Sequence, residues 1–119
     1  MENYDSNDPV AAYIREACSA EPLTTEEEAT LFGELGNSGF KEQRENIERR
    51  LIESQLLLVV SIAQKRAADG VSALELIEEG NIGLIKAVRS FAERPGEDFA
   101  EYAAACIKGA IEKYLGELK

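Results

Sequence analysis

Histidine and tryptophan are absent from all 119 residues, and the chain holds two cysteines and three prolines. Without histidine it lacks the commonest general base and the commonest transition-metal ligand. Cys18 and Cys106 are too few and too far apart for a structural zinc site or a disulfide framework. Reduced thiols and a cytoplasmic setting are expected. The longest apolar run, Leu56 to Val60, is far too short to span a bilayer, and the polar, acidic start MENYDSNDP does not read as a secretory signal. No carboxylate accompanies a glycine-rich phosphate loop or a recognisable nucleophile. Neither catalysis nor a cofactor is therefore expected. The run Glu26–Glu28 could at most hold a metal weakly, and an acidic first helical turn explains it better, so no metal site is expected.

What is present is helix-forming. Aromatics make up 7% of the chain, while Ala, Leu, Ile and Glu dominate. With few prolines to interrupt it, this composition indicates an all-α fold. The net charge of −10 is uneven: −8 over residues 1–36, +2 over 37–68, −4 over 69–98 and zero over 99–119. A nucleic-acid binder would present a basic stripe. Here only the 41–66 segment is basic, and weakly. The acidic remainder suits a basic protein partner or serves solubility.

Punctuation divides the chain into about five helices in one compact bundle without strands. Asp8 and Pro9 open a first helix with Val10, Tyr13, Ile14 and Ala17 on its apolar stripe. Thr25-Glu26-Glu27-Glu28 reads as a capping box for a second helix, with Leu31, Phe32 and Leu35 inward. Gly36-Asn37-Ser38-Gly39 closes it. A long helix is expected over 41–68, its Leu56–Val60 stretch apolar all round and so enclosed by other helices. Ser72-Ala73-Leu74-Glu75 opens a helix over 72–92, and Arg94-Pro95-Gly96 ends it. The last helix, 99–117, carries an inward stripe of Phe99, Tyr102, Cys106, Ile107, Ala110, Ile111, Tyr114 and Leu118. The expected core comprises Leu56, Val59, Ile62, Leu74, Ile77, Leu84, Val88, Phe99, Ile107 and Ile111.

One stretch resists this scheme. LIEEGNIGLIKAV, residues 76–88, has helical apolar spacing, yet Gly80 and Gly83 sit inside it, each costing about 1 kcal/mol relative to alanine. Glycine lets another backbone approach closely. Packing against the Leu56–Val60 helix accounts for both, Gly83 being chiefly structural. Glu75, Glu78, Glu79 and Asn81 flank the apolar stripe, and their plainest reading is a solvated face.

From Glu53 to Phe91 the sequence resembles the bacterial sigma-70 family of transcription initiation factors. ESQLLLVVSIAQ followed by LELIEEGNIGLIKAV is similar to the family's EANLRLV and LDLIQEGNIGL patterns, and DPVAAYIREACSAEPLTTEEEATLFGEL at 8–35 is similar to the segment that precedes them. The resemblance implies one domain over 1–119, with 8–35 as the N-terminal conserved segment and 41–119 as the polymerase-binding and promoter-reading part. It implies docking on the β′ clamp coiled coil of core RNA polymerase through Leu74, Glu75, Glu78, Glu79, Asn81 and Ile85. Glu75 and Glu78 stand where the family usually has Asp and Gln, and both retain a polar acceptor.

The last helix departs from the family pattern F-S-T-Y-A-x-W-W-I-R-Q-A-I-x-R. The inward residues Phe99, Tyr102, Ile107, Ala110 and Ile111 match, while the paired tryptophans are Ala105 and Cys106, and Gly109 and Glu112 stand where the −10 element would be read. A base stack needs an aromatic face, worth about 1–3 kcal/mol per base. Phe99, Tyr102, Lys108 and Lys113 are the remnant of a DNA-binding set, and Glu101 and Glu112 would repel phosphate. No segment of the chain resembles the family's −35-reading domain. The resemblance thus implies a sigma-like protein that binds polymerase and reads promoter DNA weakly, if at all, outside the holoenzyme. An anti-sigma protein is a further expected partner. The competing reading is a helical adaptor that binds an anti-sigma protein or another basic surface without polymerase.

Overall fold

The computed structural model describes residues 12, 15–16, 21–67, 70–91 and 98–118. Its helices are α1 (Thr25–Asn37), α2 (Lys41–Glu53), α3 (Leu56–Arg66), α4 (Ala73–Ser90) and α5 (Phe99–Glu117). Among the described residues there is no β-strand, as expected for an all-α chain. The helix expected from Asp8 lies mostly outside the described residues; Ala12, Arg15 and Glu16, which fall within it, are helical and exposed. The break expected at Arg94-Pro95-Gly96 also lies outside them.

Short polar side chains start three of these helices. Thr24, one residue before the expected position, is the N-cap of α1. Its Oγ1 accepts from the Glu27 N–H at 3.1 Å, and Glu27 Oε1 accepts from the Thr24 N–H at 2.9 Å. Thr24 rather than Thr25 has the extended backbone, ψ 164°, that a cap requires. Ser72 caps α4 by accepting from the Glu75 N–H at 3.1 Å, and Asp98 caps α5 by accepting from the Glu101 N–H at 3.2 Å. Gly70, between α3 and α4, has φ +86°, a conformation that a side chain would strain.

The single helix expected over 41–68 is broken at Ser54 and Gln55. The Ser54 hydroxyl donates to the Leu51 carbonyl at 2.7 Å. The Gln55 N–H bonds Ile52 O at 3.0 Å and the Leu58 N–H bonds Gln55 O at 3.1 Å, so the ladder contracts to three-residue steps. Gln55 Nε2 also donates to Glu28 Oε2 at 3.2 Å, fastening the corner to α1. The bend lets α2 present Ile47 and Leu51 to the core while α3 presents Val59, Val60, Ile62 and Ala63.

The core is aliphatic. Val59, Ile62, Ile77, Leu84, Val88, Phe99, Ile107 and Ile111 are buried as expected, and Leu51 and Leu76 are sealed completely. Leu56 and Leu74 are only half-buried, because each lies in the first turn of its helix. Leu57 is 48% exposed, so the apolar run is not enclosed: α3 packs on α4 and α5 from one side. Leu118, expected inward, lies just past the end of α5 and is 52% exposed. Phe32 of α1 completes an aromatic cluster, its ring centroid 4.8 Å from Phe91 and 4.9 Å from Phe99.

The two interior glycines of α4 mark where it meets its neighbours. A Cβ on Gly80 would lie 2.9 Å from Val59 Cγ1 and 3.2 Å from Ile107 Cγ2. That bears out packing against α3. Gly83 has a different partner from the one expected. A Cβ there would lie 2.5 Å from the Cys106 carbonyl oxygen and 2.9 Å from Ala110 Cβ, both on α5. The α4–α5 crossing is the most extensive helix contact, and Gly83 lets the two backbones touch.

Candidate functional site

With 3.6 residues per turn, α4 sets two adjacent rows on its outer surface. Leu74, Glu78, Asn81 and Ile85 form one, and Glu75, Glu79, Ile82 and Lys86 the other. All six sequence-assigned docking residues are therefore brought to one face. Glu75, Glu78, Ile82 and Lys86 are exposed, while Leu74, Glu79, Asn81 and Ile85 are half-buried along its edges. Glu78, Glu79 and Asn81 do not project equally, since the Asn81 carboxamide oxygen is shielded from solvent.

The face is charge-polar. Its N-terminal half carries three carboxylates, and its C-terminal half carries Lys86 and Arg89. Arg89 Nε lies 3.6 Å from Glu48 Oε2, in reach of α2. Ile82, 47% exposed, sits between the two halves and gives them an apolar centre. Sequence reasoning missed it, although its offset from the inward Ile77 and Leu84 places it outward. It also missed Tyr114 of α5, whose phenol borders the acidic half. Desolvation pushes its pKa up first, and Glu75 and Glu79 push it further.

Of the four remnant DNA-binding residues, Phe99 and Tyr102 both pack on Phe91, with ring centroids 5.1 and 5.7 Å away. Phe99 is 3% exposed within the aromatic cluster, and Tyr102 is half-buried, its hydroxyl 2.6 Å from Ser90 Oγ. Lys108 and Lys113 point to solvent. Glu112 also differs from expectation, because both its oxygens engage the Arg66 guanidinium, one at 2.9 Å from Nη2. This pairing raises the Arg66 pKa and offsets the negative charge that Glu112 would turn toward phosphate.

Among the described residues, no cluster of three or more cysteine or acidic side chains is placed to hold a metal ion. None of the described helices is long and apolar enough to cross a membrane.

The described helices thus present, on α4, one ridge of mixed charge around an apolar centre. The Sigma-70 region 2 family matches residues 51–119, and the chain belongs to the sigma-70 family. The RNA polymerase sigma factor SigA of Bacillus sp. is 39% identical over 111 residues, covering 93% of this chain. The RNA polymerase sigma factor SigA of Clostridium acetobutylicum is 37% identical over 111 residues, again 93% of this chain. The chain spans 28% of the length of each of these relatives.

Proposed function

We propose that the chain is a sigma-factor-like transcription initiation protein, non-catalytic and cytoplasmic, that docks on the β′ clamp coiled coil of core RNA polymerase. Leu74, Glu75, Glu78, Glu79, Asn81 and Ile85 make the contact, with Ile82 at its centre. The whole of 1–119 acts as one unit, the 8–35 segment preceding the polymerase-binding part. Promoter −10 recognition and melting are weak or lost. The observation that carries this reading is the α4 face, where three carboxylates share one surface with an exposed isoleucine. Family membership supports the sigma-like role.

The burial of Phe99 and the lack of a ring at Ala105 support the loss of promoter reading. Lys108 and Lys113 remain to meet phosphates.

Binding to core polymerase, and to the isolated β′ coiled coil, tests the docking directly. Glu79→Lys should weaken both more than about tenfold, because like charges at an interface cost several kcal/mol. Circular dichroism should report unchanged folding, since Glu79 is only half-buried. Equal binding by both proteins, or by neither, would replace this reading with that of a helical adaptor for an anti-sigma protein or another basic surface.

A further inference from the structure

The cleft between α3 and α5 takes no part in the docking proposed above. It is a cavity of about 390 Å³ with Leu58, Ile62 and Ile111 on its floor and Lys65, Arg66 and Lys108 around its mouth. Arg66 is bound to Glu112, but among the described residues neither Lys65 nor Lys108 has an ion-pair partner. A chain of net charge −10 thus gathers three cations and one acid, Glu112, around one apolar hollow.

Gly109 gives an independent observation beside it. Unlike Gly80 and Gly83, it is exposed, and a Cβ there would meet nothing within 4 Å. A glycine inside a helix weakens it, and here no contact within the fold explains the choice. Ala105, one turn earlier, is exposed and carries only a methyl group. Together they leave the outer side of α5 low enough for a second backbone to lie against it.

We propose that this cleft docks an acidic, aliphatic-bearing helix of a second protein. One leucine- or isoleucine-sized side chain enters the hollow, flanking carboxylates meet Lys65 and Lys108, and the partner backbone lies over Ala105 and Gly109. This is helix-in-groove recognition with charge complementarity at the rim. A nucleic-acid strand is the other polyanion to weigh, but the floor is aliphatic and offers no ring for a base to stack on. The cleft lies on the side of α5 away from the Cys106 and Ala110 contact with α4, so the proposal stands independently of polymerase docking.

A displayed library of stapled helical peptides, selected on the full chain, tests it. Enriched sequences should carry Leu or Ile with Asp or Glu three or four positions away. Their affinity should fall at least about tenfold on Lys65→Glu with Lys108→Glu, as like charge would then face like charge. Gly109→Leu, checked for folding by circular dichroism, should abolish binding by filling the approach. Enrichment of basic or uncharged peptides, or binders indifferent to these changes, would overturn the proposal. So would tighter, lysine-dependent binding of oligothymidylate or decanoate, which would assign the cleft to a nucleic-acid strand or to a small amphiphilic anion.

Discussion

Gly83 and Gly109 are chemically identical, and the structure gives them opposite roles. A methyl group on Gly83 would meet the backbone of Cys106, which cannot swing aside as a side chain can. Gly83→Ala should therefore cost about 1–3 kcal/mol or more, as overpacking does. Gly109→Ala should stabilise by about 0.5–1 kcal/mol through helix propensity alone. Urea unfolding with unchanged m-values measures both. A neutral Gly83→Ala would show that the crossing of α4 and α5 is looser than described. The sequence showed that two glycines interrupt an apolar helix. It did not show what occupies the space beside each, because that depends on elements far along the chain. Ile82 was hidden for a related reason: in an apolar-rich helix, outward and inward isoleucines differ only in phase.

At the scale of elements, helix starts were legible and one helix end was not. Thr24, Ser72 and Asp98 are short polar residues before apolar periodicity, a local signal with a local cause. The break at Ser54 and Gln55 is tertiary. Both residue types are tolerated in helices, and only the need to aim α2 and α3 separately at the core selects a corner. Glu28 sits at that corner. Partial burial raises its pKa, nearby Asp98 raises it further, and the hydrogen bond from Gln55 opposes both. A carboxyl whose folded pKa exceeds its unfolded value binds protons more readily in the native state. It therefore supports folding below the usual glutamate range and loses that support as pH rises through the folded pKa. Glu28→Gln, which can keep the bond to Gln55, should raise the melting temperature slightly at pH 7. The gain should fade as both proteins are acidified toward pH 4. A constant difference at every pH would assign the effect to packing.

Across the whole molecule, charge and small side chains separate two surfaces. The outward face of α4 is acidic at one end and basic at the other, and the α3–α5 cleft has a cationic mouth. The fold class and α4's candidate residues were readable from the sequence, the second through a family resemblance rather than from periodicity. The cleft was not, since its lining combines residues about fifty positions apart that nothing local connects. Promoter recognition is a property of the assembled surface, so its proposed loss is tested on the whole chain. The protein alone should show no sequence preference for a single-stranded −10-type oligonucleotide at moderate salt. Ala105→Trp with Glu112→Thr should restore measurable binding, because one supplies a stacking ring and the other removes an acid. Sequence-dependent binding by the unaltered chain would show that the face still reads DNA.

The attachment of α1 carries a consequence for how the native protein moves. None of its thirteen residues is fully buried, and Phe32 joins it to the aromatic cluster while Glu28 joins it to Gln55. Among the described residues, every buried aliphatic side chain lies in α2 to α5. Two cooperative units follow: a stable frame, and an outer helix whose opening uncovers Leu31, Phe32 and Leu35 but keeps the aliphatic core closed, and so costs less than global unfolding. In native-state hydrogen exchange, the amides of α1 should exchange through this local opening. Those of Leu84 and Ile107 should wait for the whole frame to unfold.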